Sequence, residues 1–134
     1  MTMNDYDKAY YDFHMRLLQA FITQAKEQPP FFLEDCTQED KDFFLELSEL
    51  PHSGGSNLLI QGQHLFCRIV AVYPHLMPLV PRDLLWFFGG DCLHYMPDEE
   101  ISVFQTLDEL RQQANETGEP FSYENERLKS MGLH

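Results

Sequence analysis

The sequence predicts a mostly α-helical fold, four or five helices with one small β-hairpin packed at an end. Three observations carry that expectation. Apolar residues from Tyr6 to Ala25 recur at helical spacing, threonine-led capping boxes open later segments at Thr37 and Thr106, and prolines or paired glycines close the helical stretches. A more evenly mixed α+β fold is the alternative, because residues 58–73 and 97–106 also suit strands.

The first helix runs from Asp5 to Glu27. Tyr6, Ala9, Tyr10, Phe13, Leu17, Phe21 and Ala25 share one side, Asn4 or Asp5 caps the start, and Pro29-Pro30 ends it. At about 100° per residue, Tyr11, His14, Leu18 and Ile22 join that side and widen the apolar arc to roughly 240°. An arc this wide predicts a helix central in the fold or shared with a second subunit, so a homodimer is the expected assembly.

A second helix starts at Thr37-Gln38-Glu39-Asp40, carries Phe43, Phe44 and Leu47, and stops at Pro51. His52-Ser53-Gly54-Gly55-Ser56 is a loop able to act as a hinge. The third helix, Asn57 to Tyr73, is apolar nearly all round, and its neighbours are expected to bury it. Only Gln61, His64 and Arg68 form a polar stripe, with Gln63 on another face.

Pro81 opens a short helix over Arg82 to Phe88, which Gly89-Gly90 closes. Its Trp86-Phe87-Phe88 run is expected to lie between two layers of the domain. Cys92 to Met96 and Ile101 to Gln105 are the expected hairpin strands, with Pro97-Asp98-Glu99-Glu100 at the tip. The capping box Thr106-Leu107-Asp108-Glu109 then restarts a helix to about Asn115. A single helix from Pro97 through Ala114 is the competing reading. Residues 116–134 read as a polar tail with room for one short final helix, and the whole chain, 1–134, reads as one domain.

The 134 residues hold 22 acids against 9 bases, a net charge of −13. Such a surface repels phosphate and anionic lipid, which excludes nucleic acid and membranes as partners and favours a basic protein. Cys36, Cys67 and Cys92 cannot form a fully paired framework, so a reducing, cytoplasmic setting with free thiols is expected. Residues 1–8 lack the basic-then-apolar start of a signal peptide, and no apolar run reaches the length of a membrane span.

Two sets of residues could hold a ligand. In the Gln61, His64, Arg68 stripe, the guanidinium would hold an anion and the imidazole would move a proton. The second set, Asp91, Cys92 and His94, follows Gly89-Gly90, and on a strand Cys92 and His94 would share a face. The double glycine is expected to fold the chain back on the third helix, bringing His94 or Cys92 near the stripe. With His64 and Cys67 these residues would make a Cys2His2 zinc set. The His-x2-Cys and Cys-x-His spacings do not fit such a site, so neither metal nor cofactor is expected. Asp91 also argues against Cys92 as a nucleophile, since a thiolate needs an electropositive setting.

The third feature is acidic. Residues 34–49 carry seven acids and Lys41, a local balance of −6, with Glu39, Asp42 and Glu46 as docking residues for a basic partner. With no catalytic motif, the expected function is a non-enzymatic protein-interaction module, an acidic adaptor or chaperone-like protein. A small-ligand or metal-dependent enzyme built around His64, Arg68, Asp91 and His94 is the alternative, and a structural subunit of a larger assembly is the second.

Overall fold

Residues 4–131 are described by the structure, a computed structural model, and every regular element among them is helical. The α-helices are α1 (Asp5–Lys26), α2 (Gln38–Glu49), α3 (Gly55–Val72), α4 (Arg82–Phe88), α5 (Asp98–Thr117) and α6 (Tyr123–Ser130). Short 3-10 helices occupy Leu50–His52, Pro74–Leu79 and Gly90–Tyr95. Side-chain caps form where the residue types allow them. Asn4, Thr37 and Ser122 accept from the backbone N–H groups of Asp7, Asp40 and Asn125.

The expected β-hairpin does not form. Residues 90–95 coil into a 3-10 helix, and the segment from Asp98 to Thr117 is one continuous helix. Asp98, Glu99 and Glu100, read as a hairpin tip, instead fill the first turn of α5, where carboxylates meet the positive end of the helix dipole. Thr106, read as a cap, lies inside that helix, and its hydroxyl donates back to the Ser102 carbonyl at 2.9 Å. Among the described residues the helix count therefore rises to six, the last of them inside the polar tail.

α1 runs through the middle, touching α2, α4, α5, α6 and the 3-10 helices at 50–52 and 74–79. His14, Met15, Leu18, Phe21 and Ala25 are buried, and Tyr10, Tyr11, Phe13, Leu17 and Ile22 pack against the core half-buried. The wide apolar arc is explained by this central position, with the covering supplied by the chain's own elements.

α3 departs from expectation. Leu58, Gly62, Leu65, Phe66 and Ile69 point inward, but Leu59, Ile60 and Val72 are open to solvent. The neighbours do not bury it all round, because α4 meets it only along the Gly62 and Phe66 face.

α4 joins the rest. Successive helical residues point about 100° apart, so its three aromatics reach three different helices. Trp86 stacks on Phe104 of α5 and donates its indole N–H to Asp108 at 2.9 Å. Phe87 stacks on His14 of α1 with ring centres 4.8 Å apart. Phe88 packs on Phe66 of α3 and lies directly over Gly62. No helix among the described residues is long and apolar enough to cross a membrane.

A Cβ at position 62 would sit 2.2 Å from the Phe88 ring, so only glycine lets α3 and α4 approach this closely. Gly62→Ala should destabilise the protein by about 1–3 kcal/mol through overpacking, measured as a lower urea midpoint. An unchanged midpoint would show that the two helices do not pack at this distance.

Candidate functional site

Gln61, His64 and Arg68 form an exposed stripe on α3, as their spacing implies. Gln61 and His64 join Glu46, Glu49 and Ser53 in a polar cleft of about 360 Å³ between α2 and α3. Ser53 donates its hydroxyl to Gln61 Oε1 at 3.2 Å. Arg68 continues the stripe past the cleft, with its guanidinium 5.6 Å from the centre of the Phe43 ring. Beside it the Tyr73 hydroxyl donates to Asp40 at 2.7 Å and is the main cause holding that carboxyl below its usual range. Burial and this same contact push Tyr73 up to about 12. The cleft itself offers two carboxylates and one imidazole, with no lysine or arginine in its lining, so its chemistry suits a cation.

The Gly89-Gly90 turn does fold against α3, but around Gln63. Both glycines have positive φ, and the Gln63 amide lies 2.6 Å from where a Gly90 Cβ would stand. Gln63 Nε2 donates to the Phe88 carbonyl at 2.8 Å. Gln63 is about 100° round the helix from His64, so residues 91–94 return to a different side of α3 from the stripe. None of Asp91, Cys92 and His94 lines the cleft that holds His64, and the shared site expected for them does not form.

The 3-10 geometry also reverses which residues share a face. With three residues per turn, Asp91 and His94 are eclipsed and Cys92 is not. The two exposed side chains face each other at 3.8 Å, while Cys92 is buried with its thiol 4.0 Å from the Gln63 carbonyl. Burial first, and then the neighbouring Cys67 thiol, push Cys92 up to about 12. Among the described residues no three His, Cys, Asp or Glu side chains converge as a metal site.

Glu39, Asp42 and Glu46 stand exposed along the outer ridge of α2 at i, i+3, i+7 spacing. The acidic cleft lies on the Glu46 side. Next to Asp42 is a groove of about 430 Å³ with apolar walls from Phe31, Phe44 and Leu45, lined as well by Gln38, Lys41 and Ser48. Leu45 is 58% exposed, and Phe32 in the adjoining connector is 56% exposed. The acidic ridge is thus flanked by an apolar groove and a cation-accepting cleft.

A buried polar cluster where α1, α4, α5 and α6 meet escaped the sequence reading. His14 has no exposed surface, and it stacks among Tyr10, Phe13, Phe87 and Tyr123. Its Nδ1 donates to the Tyr10 carbonyl at 2.7 Å, which leaves Nε2 as an acceptor with no partner. The Tyr123 hydroxyl is also buried and unpaired. Arg127 grips the buried Asp83 through two parallel bonds of 2.6 and 2.8 Å. Arg111 lies over the Tyr10 ring and pairs with Asp7 and Asp108. Burial pushes His14 down to about 4 and moves the Tyr10 and Tyr123 phenols and the Asp108 carboxyl upward.

Asp83 and Arg127 also line a groove of about 620 Å³. Arg82 and Glu100, paired at 2.6 Å, line it as well, and Met77, Val80, Phe104 and Met131 contribute apolar wall. One signal for this cluster was present: His14 falls inside the apolar arc of α1, where a titratable ring must be buried. Tyr123 and Arg127 likewise stand at i, i+4 in the stretch read as a tail. The pairing of Asp83 with Arg127 spans 44 residues, and no local pattern marks it.

The family model described as PA2817-like matches residues 6–134. No curated protein and no solved structure matches the chain.

His14 gives a pH prediction. Its value falls from 6.5 to about 4 on folding, so between those values the unfolded chain binds more protons and stability rises with pH. The contribution is whole above pH 6.5 and is lost as pH falls towards 4. At about 1.36 kcal/mol per unit, the loss is roughly 3 kcal/mol. Denaturation of wild type and His14→Gln across this range should show a shallower acid loss in the variant. Equal slopes would mean that His14 is not held neutral in the fold.

Proposed function

The chain belongs to the PA2817-like family, and we propose that it is a non-enzymatic protein-interaction module that docks a basic, amphipathic segment of a partner along α2. The observation that carries this reading is the pair of recesses flanking the exposed Glu39, Asp42, Glu46 ridge. The cleft holding Glu46, Glu49 and His64 takes a lysine or arginine side chain. On the other flank, the groove walled by Phe31, Phe44 and Leu45 takes an apolar one.

Two further features support it. The local balance of −6 over residues 34–49 steers a cationic partner towards this face. Exposed Phe32 and Leu45 supply apolar area that charge alone would not hold in place. The homodimer expected from the arc of α1 loses its motive, because that arc is covered within the chain.

A synthetic helix of alternating lysine and leucine faces is a direct probe. It should bind with an affinity that falls with added salt, as exposed charges are screened over about 8 Å at physiological ionic strength. Glu46→Gln with Glu49→Gln should weaken it by about tenfold, or 1.4 kcal/mol, and Leu45→Ser should weaken it as well. Reversing Glu39, Asp42 and Glu46 to lysine should weaken it further while leaving the thermal melt unchanged, since all three are exposed. Binding that ignores salt and every one of these changes would remove the α2 docking surface.

A second reading is favoured by one observation, the 620 Å³ groove beside Asp83 and Arg127, a size that suits a small ligand. In that reading an environment-sensitive apolar dye binds the groove, and Val103→Trp, which fills it, abolishes the signal. Dye binding that survives the substitution would exclude this groove.

A further inference from the structure

Cys67 and Cys92 lie 25 positions apart in the sequence, on α3 and on the 3-10 helix at 90–95, yet the fold sets Cys92 against the turn of α3 that carries Cys67. The Cys92 sulfur is 4.0 Å from the carbonyl of Gln63, the residue one helical turn before Cys67. This approach is fixed from both sides. Gly62 lets Phe88 lie on α3, Gly90 leaves room for the Gln63 side chain, and the Gln63 to Phe88 hydrogen bond of 2.8 Å ties the turn down. Cys67 is partly exposed and Cys92 is buried.

We propose that Cys67 and Cys92 are an oxidisable dithiol, a modification site that hydrogen peroxide closes to an internal disulfide. The more exposed Cys67 meets the oxidant. Its sulfur attacks the peroxide, the O–O bond breaks, one water leaves, and Cys67 becomes a sulfenic acid. The Cys92 sulfur then attacks the Cys67 sulfur, the S–S bond forms, the S–O bond breaks, and a second water leaves. Two thiols give up two electrons and two protons, and one peroxide takes them up as two waters. Burial keeps Cys92 a protonated thiol until a sulfenic acid appears beside it, which assigns it the resolving role. The product ties the Gly89-Gly90 turn covalently to α3. Cys36, in the connector before α2, takes no part.

The full chain treated with hydrogen peroxide, alkylated and digested with trypsin without reductant decides the matter. Cleavage after Lys41, Arg68, Arg82 and Arg111 places Cys67 and Cys92 in peptides 42–68 and 83–111. These two peptides should be recovered joined, with the loss of two hydrogens and release by reductant, while Cys36 is recovered alkylated. Cys36→Ser should behave as wild type. Cys67→Ser should lose the internal cross-link and form no new one within the chain. Recovery of the two wild-type peptides unjoined, or with Cys36 as the partner in the cross-link, would overturn the proposal whether or not the variants fold.

Discussion

Because successive residues on a helix turn by about 100°, Trp86, Phe87 and Phe88 cannot share one neighbour, and the fold is arranged to supply three. α5 takes the indole, α1 takes Phe87 through the face of His14, and α3 takes Phe88 over a glycine. The helix that carries them has only seven residues, too few to be stable alone, so it is held by what it touches. Asp83, in its first turn, adds a fourth tie through Arg127 to α6. Removing one partner of that pair would strand a nearly buried charge, a far larger penalty than losing an exposed salt bridge.

The same arrangement sorts the charges. Arg82, Arg111 and Arg127 spend their guanidinium groups on Glu100, Asp7, Asp108 and Asp83, inside or at the edge of the helix packing. Six other bases stand against the remaining acids, and the lining of the cleft between α2 and α3 holds none of them. The acidic composition thereby becomes a directional surface: three guanidinium groups consolidate the helix packing, while the outer face of α2 carries Glu39, Asp42 and Glu46 against Lys41.

Local periodicity exposed most of the helical scaffold. α1, α2, α3 and α4 begin and end within a few residues of where caps, prolines and glycines put them, because those signals act over one or two turns. The segment 92–106 was misread for the same reason that it is informative. Short apolar runs on either side of Pro97 suit a strand as well as a helix, and what decided between them was the acidic first turn of α5 together with its packing on Trp86 and α6. The stripe on α3 was readable, since exposure follows helical spacing. Its companions were not: Glu46 and Glu49 reach it from another helix, and the His14, Asp83, Tyr123, Arg127 cluster is assembled from three. Only tertiary packing could bring those residues together.

The ties between the two ends of the chain carry a kinetic consequence. Tyr6 donates to the Glu119 carbonyl, Asp7 holds Arg111, and Arg16 reaches Glu124, all across more than a hundred residues. α1 is therefore made well before the helices that complete its packing. While the ribosome is still adding α5 and α6, the Tyr10 and His14 face of α1 has Phe87 of α4 against it but lacks Tyr123 and Arg111, and the nascent chain carries a partly open aromatic surface in water. Contacts this distant in sequence slow the final docking relative to the formation of the helices themselves. Loss of α6 by proteolysis would expose the part of the Tyr10, Phe13 and His14 face that Tyr123 covers, beside an otherwise intact acidic face.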